Sequence, residues 1–200
     1  GTADLNKMKT RGDQFWKENT VNILAGKKAV SLNTTEHTVS LDSGEKIEYE
    51  KLLIATGGKP FIPKMEGQDK DGVYTFTNIS DAEKLAHKIT TSHAKNAVVI
   101  GAGLIGISVT EGLLKRGVGV TIVELQEQML SLILDGTASD IVEAVVKKAG
   151  VNLVTGQSVQ KITGKLDNDK IVGGVTLTKG DQISCDMVIV AIGVIPRTEL

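Results

Sequence analysis

Between Val98 and Glu124 the chain reads VVIGAGLIGISVTEGLLKRGVGVTIVE, and no other stretch restricts the fold so tightly. An apolar run, 97–100, ends in Gly101-x-Gly103-x-x-Gly106; a helical stretch follows over about 104–116, and a second apolar run, 119–124, ends in an acid. Short continuous apolar runs suit strands buried on both faces of a parallel sheet. Parallel neighbours need a long crossover, which the intervening helix supplies. Each glycine then has a separate task. Gly101 allows a tight turn out of the strand, Gly103 lets a pyrophosphate approach the backbone without a Cβ clash, and Gly106 lets the helix pack close to the sheet. The helix N-terminus offers free N–H groups and partial positive charge to phosphates, so this unit can bind a dinucleotide.

Glu124 ends the second strand about 20 residues past the glycines, where a carboxylate accepts both ribose hydroxyls of the adenosine. A 2′-phosphate there would meet a negative charge, and the following LQEQML contains no Arg or Lys to receive it. The choice therefore falls on NAD(H) over NADP(H).

The rest of the chain is ordered around this unit. Residues 1–20 are polar with one aromatic pair and read as a short helix or tail. VNILAG, KAVSLN and HTVSLDSGEKIEYE alternate apolar and polar residues, predicting a small antiparallel meander with a hairpin at Asp42-Ser43-Gly44. KLLIATGG is a continuous apolar run suited to a buried parallel strand. KPFIPKMEGQDKDG carries two of the three prolines and reads as a connection. Ser80 with Glu83 reads as a capping box opening a helix over about 81–91. After Glu124 come an amphipathic helix in DGTASDIVEAVVKKAG, closed by Gly150, and a strand in VNLVTG. A second meander follows in SVQKITGK, KIVGGVTLTKG and DQISC, then a buried strand in DMVIVAIG. One pattern occurs twice, an apolar strand running into Ala-x-Gly, in EKLLIATGG and CDMVIVAIG.

Composition excludes several functions. The formal net charge is −1, with basic and acidic residues interleaved, which argues against nucleic acid as a partner. Cys185 is the only cysteine, so no internal disulfide forms, and the His residues His37, His87 and His93 lack metal-ligand spacing. No apolar run reaches the ~18–20 residues a membrane span needs, and no signal peptide is visible, so the expectation is a cytoplasmic protein without membrane contact. The chain opens without an initiator Met and closes directly after an apolar strand, so both ends read as cut from a longer protein.

GAGLIG with VTIVE, KIEYEKLLIATGGKP and CDMVIVAIGVIPRTEL, in this order and spacing, resemble hallmarks of the pyridine nucleotide–disulfide oxidoreductases. The similarity is to the branch of NADH oxidases, CoA-disulfide reductases, rubredoxin reductases and nitrite reductases, and it covers about residues 20–200. It implies an FAD domain with an NAD domain inserted into it, and NADH and FAD as cofactors. By the match, Gly101, Gly103, Leu104, Ile105 and Gly106 lie along the NAD pyrophosphate, Glu124 is the ribose acid, and Gly193 passes near the nicotinamide. Ala55, Thr56 and Gly57 match the family's Ala-Thr-Gly stretch on the FAD side. Several features depart from the pattern. The family's first glycine motif, with its redox cysteine, is absent, as are its later Gly-Asp motif and interface domain. Ser108 stands where many members have a Glu that reaches the nicotinamide–flavin junction, and Arg197 replaces a common Asn.

The sequence thus predicts an α/β chain: a doubly wound, Rossmann-like NAD-binding domain with an antiparallel β-meander insertion, plus a partial FAD-domain segment. The expected boundaries are 1–60 for the partial FAD domain, 61–80 for a connection, 81–195 for the NAD(H) domain and 196–200 for the return. The expected function is hydride delivery from NADH to FAD, with electrons passing to oxygen, a disulfide or a small redox protein. No side chain is assigned as a catalytic acid or nucleophile, and a homodimer is left open. The competing reading is a non-catalytic NAD(H)-binding module or redox sensor.

Overall fold

The computed structural model describes residues 8–200. The chain forms two compact units, one of residues up to Thr56 with Arg197–Leu200, the other Gly57–Pro196.

In the first unit, helix α1 (Asp13–Glu18) is followed by strands β1 (Ala29–Asn33), β2 (Thr38–Leu41) and β3 (Lys46–Glu48), which pair antiparallel in the order β1-β2-β3. The expected hairpin at Asp42-Ser43-Gly44 is present. Gly44 takes φ +85° and its N–H donates to the Leu41 carbonyl at 2.9 Å. Two expected strands are not. VNILAG forms none: Val21 N–H bonds the Trp16 carbonyl behind α1, and just past the stretch Lys27 N–H closes a turn on Leu24. KLLIATG is irregular, with Leu52, Leu53 and Ile54 exposed by 41, 88 and 53%. An apolar run is buried only if a neighbouring strand and two covering layers meet it, and among the described residues no strand pairs with this one.

The second unit contains, in chain order, β4 (Gly58–Pro60), β5 (Val73–Thr75), α2 (Ile79–Ser92), β6 (Asn96–Ile100), α3 (Leu104–Leu114), β7 (Gly119–Val123), α4 (Gly136–Lys148), β8 (Asn152–Val154), β9 (Val159–Gly164), β10 (Val172–Leu177), β11 (Gln182–Ser184), β12 (Met187–Val190) and β13 (Val194–Pro196). Its centre is a parallel sheet in the order β5-β12-β6-β7-β8. Alternating side chains build two cores. Ala97, Val99, Met187 and Ile189 join Val109, Leu113 and Leu85 of the helices on one face. Val98, Ile100, Val188 and Val190 meet Val159, Ile162, Val172, Val175 and Leu177 of the β9–β11 meander on the other. Each Val, Leu, Ile or Met side chain among them removed from water contributes about 1.5–3 kcal/mol, and burial on both faces explains why these strands read as unbroken apolar runs.

Residues 61–80, expected as a connection, include β5 and so form part of the sheet. The start of α2 is also corrected. Its cap is Asn78, whose side chain accepts from Asp81 N–H, rather than Ser80 paired with Glu83. The Asp81 carboxylate accepts in turn from Thr77 N–H, Thr77 Oγ1 and Thr75 Oγ1, tying the end of β5 to the helix start that Asn78 caps. A two-stranded antiparallel ribbon of β4 and β13 was not foreseen.

Candidate dinucleotide site

Strand order reverses at β6. The chain moves from β6 through α3 to β7 on one side, while β12 lies on the other. Ligands in open α/β sheets sit at the carboxyl ends of strands at such a point, and Gly101 occupies it. Its N–H donates to the Val123 carbonyl at 2.8 Å, its φ is +105°, and a Cβ there would lie 2.6 Å from the Ala191 carbonyl oxygen of the adjoining strand end. Only glycine fits, on both conformational and steric grounds.

Gly106 allows the second close approach, since a Cβ there would lie 2.0 Å from the Gly101 carbonyl oxygen. Gly103 is different: its φ is −82°, and a Cβ would meet nothing within 4 Å. The fold itself does not require glycine at 103, and the side it leaves bare faces open space. Gly103 is also the N-cap of α3 and supplies no side-chain cap. The first turn of a helix has no intrahelical acceptors for its N–H groups, so those of Leu104, Ile105 and Gly106 are available to an anion.

Glu124 follows β7 and is fixed from three directions. Its N–H donates to the Val154 carbonyl at 2.8 Å, while its carboxylate accepts from Ala102 N–H at 2.7 Å and Gln126 N–H at 2.9 Å. Ala102, wholly buried, also accepts from Leu130 N–H at 3.1 Å, so the glycine loop is held on both sides. This bracing of the loop by Glu124 was not legible in the sequence, where the acid was visible only as the end of a strand. Each carboxylate oxygen keeps lone-pair capacity for a further donor.

Gly193 lies just beyond β12, with φ +128° and no atom within 4 Å of a Cβ position; its carbonyl accepts from Phe61 N–H at 3.0 Å. The structure therefore gathers Gly101, Gly103, Leu104, Ile105, Gly106 and Glu124 at the carboxyl ends of β6 and β7, with Gly193 just past the end of β12. Ser108 Oγ donates to the Leu104 carbonyl at 2.8 Å, so its hydroxyl is engaged by its own helix. Ala55 and Thr56 belong to the first unit, where Thr56 Oγ1 donates to the Arg197 carbonyl at 2.9 Å; Gly57 opens the second with φ +69°. Among the described residues no helix is long and apolar enough to cross a membrane.

The residues present fit a dinucleotide: a bare glycine face, an uncapped helix start and a fixed carboxylate lie together at the switch point of a parallel sheet in an α/β chain. The profile of the pyridine nucleotide-disulphide oxidoreductases matches residues 4–200, and the chain belongs to that family, whose cofactors are FAD and NAD(H). It is 36% identical over 199 residues to the NADH-dependent phenylglyoxylate dehydrogenase subunit epsilon of Aromatoleum evansii, covering 100% of this chain and 46% of that protein. It is 31% identical over 192 residues to an NADH oxidase of Methanocaldococcus jannaschii, covering 94% of this chain and 42% of that one. Among solved structures, the ferredoxin reductase of the CYP199A2 system from Rhodopseudomonas palustris superposes with a TM-score of 0.91 at 26% identity, covering 100% of this chain and 48% of that one. The chain thus spans under half the length of these relatives.

Proposed function

We propose that this chain carries the NAD(H)-binding part of an FAD-dependent NADH oxidoreductase, in which hydride passes to the flavin and electrons go on to oxygen, a disulfide or a small redox protein. The observation that carries the reading is Gly103: glycine stands where the fold tolerates a side chain, against open space, at the uncapped start of α3. In this reading the bound nicotinamide supplies the hydride chemistry. The chain's own residues bind and orient. The N–H groups of Leu104, Ile105 and Gly106 receive the pyrophosphate, Glu124 holds the adenosine ribose hydroxyls, and the bare backbone at Gly193 lets a flat ring lie close. Ala55, Thr56 and Gly57 take the flavin side. No side chain need act as acid or base.

The test is a calorimetric titration of NADH into the wild type and into Gly103→Ala and Glu124→Ala. Loss of Glu124 removes charge-assisted hydrogen bonds worth about 1.5–3 kcal/mol each, so affinity falls by about tenfold or more. Gly103→Ala weakens NADH by a similar factor while changing unfolding stability by less than about 1 kcal/mol, the scale of an N-cap effect. Unchanged affinity in both variants would refute the assignment.

A further inference from the structure

A buried serine of α4 reaches the glycine loop through two peptide groups. Ser139 is wholly buried, and its Oγ donates to the Met129 carbonyl at 2.9 Å. One turn further along the helix, Glu143 Oε1 accepts from Met129 N–H at 3.4 Å, so α4 holds both polar backbone groups of Met129. The Met129 carbonyl shares a peptide plane with Leu130 N–H, and in a trans peptide the two point in opposite directions. Leu130 takes φ +53°, a region leucine seldom enters, and its N–H donates to the Ala102 carbonyl at 3.1 Å. The Ala102 carbonyl in turn shares its plane with Gly103 N–H. Among the described residues no acceptor meets that N–H.

We propose that Ser139 is a positioning residue of the dinucleotide site, orienting the Ala102–Gly103 peptide so that Gly103 N–H is presented to the pyrophosphate. The inference rests on the NAD(H) reading above. That peptide needs fixing. Its plane turns on ψ of Ala102 and φ of Gly103, and a glycine with open space where a Cβ would stand leaves φ free to change. A flipped plane would turn the Ala102 carbonyl, the negative end of the peptide dipole, toward the phosphates. Glu124 fixes only the preceding plane, through Ala102 N–H. Leu130 N–H fixes this one, and it is aligned by the bond that Ser139 makes to the other end of the same peptide. Each bond in such a chain polarises the next group, so the Ser139 hydroxyl also strengthens Gly103 N–H as a donor. Ser139 does this from within α4, without touching the dinucleotide.

The test titrates NADH by calorimetry into wild type, Ser139→Ala and Ser139→Cys, and follows amide hydrogen exchange by nuclear magnetic resonance in the same proteins without ligand. Loss of one buried hydrogen bond weakens NADH about fivefold in Ser139→Ala, and Ser139→Cys, which keeps a weak S–H donor, falls between that variant and wild type. Leu130 N–H exchanges about tenfold faster in Ser139→Ala, while Val99 of β6 and Ile122 of β7 keep their wild-type protection. NADH affinity unchanged in both variants overturns the role of Ser139, even if Leu130 exchanges faster. So does an unchanged Leu130 rate, or a loss of protection shared equally by Leu130, Val99 and Ile122, which would mark Ser139 as a general support of the fold. If Ser139→Ala does not fold, Ser139→Cys decides by the same two readouts. A wild type that does not bind NADH overturns the reading of the site and this inference with it.

Discussion

Alanine at Gly106 and alanine at Gly112 should have opposite effects, although both positions lie in α3 and both changes are chemically the same. At Gly106 the new methyl would sit 2.0 Å from the Gly101 carbonyl oxygen and 3.1 Å from its carbon. A backbone carbonyl pinned in a tight turn cannot rotate aside as a side chain would, so the helix must retreat or the loop must deform. Overpacking costs about 1–3 kcal/mol, and a backbone neighbour puts this case at the upper end; the helix-propensity gain of about 1 kcal/mol leaves a net loss of about 2 kcal/mol. At Gly112 a methyl would meet nothing within 4 Å, so only the propensity gain remains, about 0.5–1 kcal/mol. The two variants should therefore differ by about 3 kcal/mol, or about 1 M or more in urea midpoint for an m-value of about 1–3 kcal/mol/M. Urea unfolding followed by far-ultraviolet circular dichroism reads this directly. A parallel NADH titration should show binding lost in Gly106→Ala, whose loop is displaced, and retained in Gly112→Ala. Equal midpoints, or a Gly106→Ala protein that is as stable as wild type and binds NADH equally well, would refute the close-approach argument.

Thr110 is buried in α3 and its hydroxyl has no hydrogen-bond partner; Thr110→Val keeps the branched shape and should stabilise by about 1 kcal/mol, read as a higher thermal midpoint, whereas a lower one would contradict the unsatisfied hydroxyl. Burial, with the charge of Asp186 adding to it, pushes the Cys185 thiol up to about 12; iodoacetamide at about pH 8 should modify it only in denaturant, and modification of the folded protein at the unfolded rate would count against this. Burial opposes ionisation of Asp81, but hydrogen bonds from Thr77, Thr75 and Asn78 outweigh it and hold the carboxyl below its ordinary value. That contribution is present above the unfolded aspartate value of about 3.9 and is lost as pH falls through the lower folded value. Asp81→Asn should accordingly flatten the acid limb of the stability–pH curve, and an unchanged limb would exclude Asp81 as a source of it.

The glycine loop between β6 and α3 was legible because what it needs is local. A turn with φ of +105° and a helix that must approach a carbonyl leave glycine as the only residue at 101 and 106, and these constraints are written at fixed spacing in the sequence. The order of elements from β6 to β12 followed from the same logic of apolar runs and interposed helices. What was missed depends on partners distant in sequence. The Ala102–Glu124 bond joins residues 22 apart, and β4 pairs with a β13 far along the chain. The start of α2 was missed for a narrower reason: Asn78, two residues before the expected cap Ser80, caps the helix, and Thr75 and Thr77, whose hydroxyls reach Asp81, hold that start in place.

The two Ala-x-Gly strands make the general point most sharply. EKLLIATGG and CDMVIVAIG carry the same pattern, yet Met187, Val188 and Ile189 are wholly buried while Leu53 is 88% exposed. The difference is not in the strands' own chemistry. Met187–Val190 has β5 on one side and β6 on the other, with helices against one face and the meander against the opposite one. Among the described residues, 51–57 has no paired neighbour on either side. An unbroken apolar run therefore states a demand for two flanking strands and two layers, and burial follows only where other elements meet it. The glycine loop makes no comparable demand, since its turn and its helix contact are closed within a few residues, and so its strand–turn–helix form was legible while the strand leading to Ala55, Thr56 and Gly57 was not.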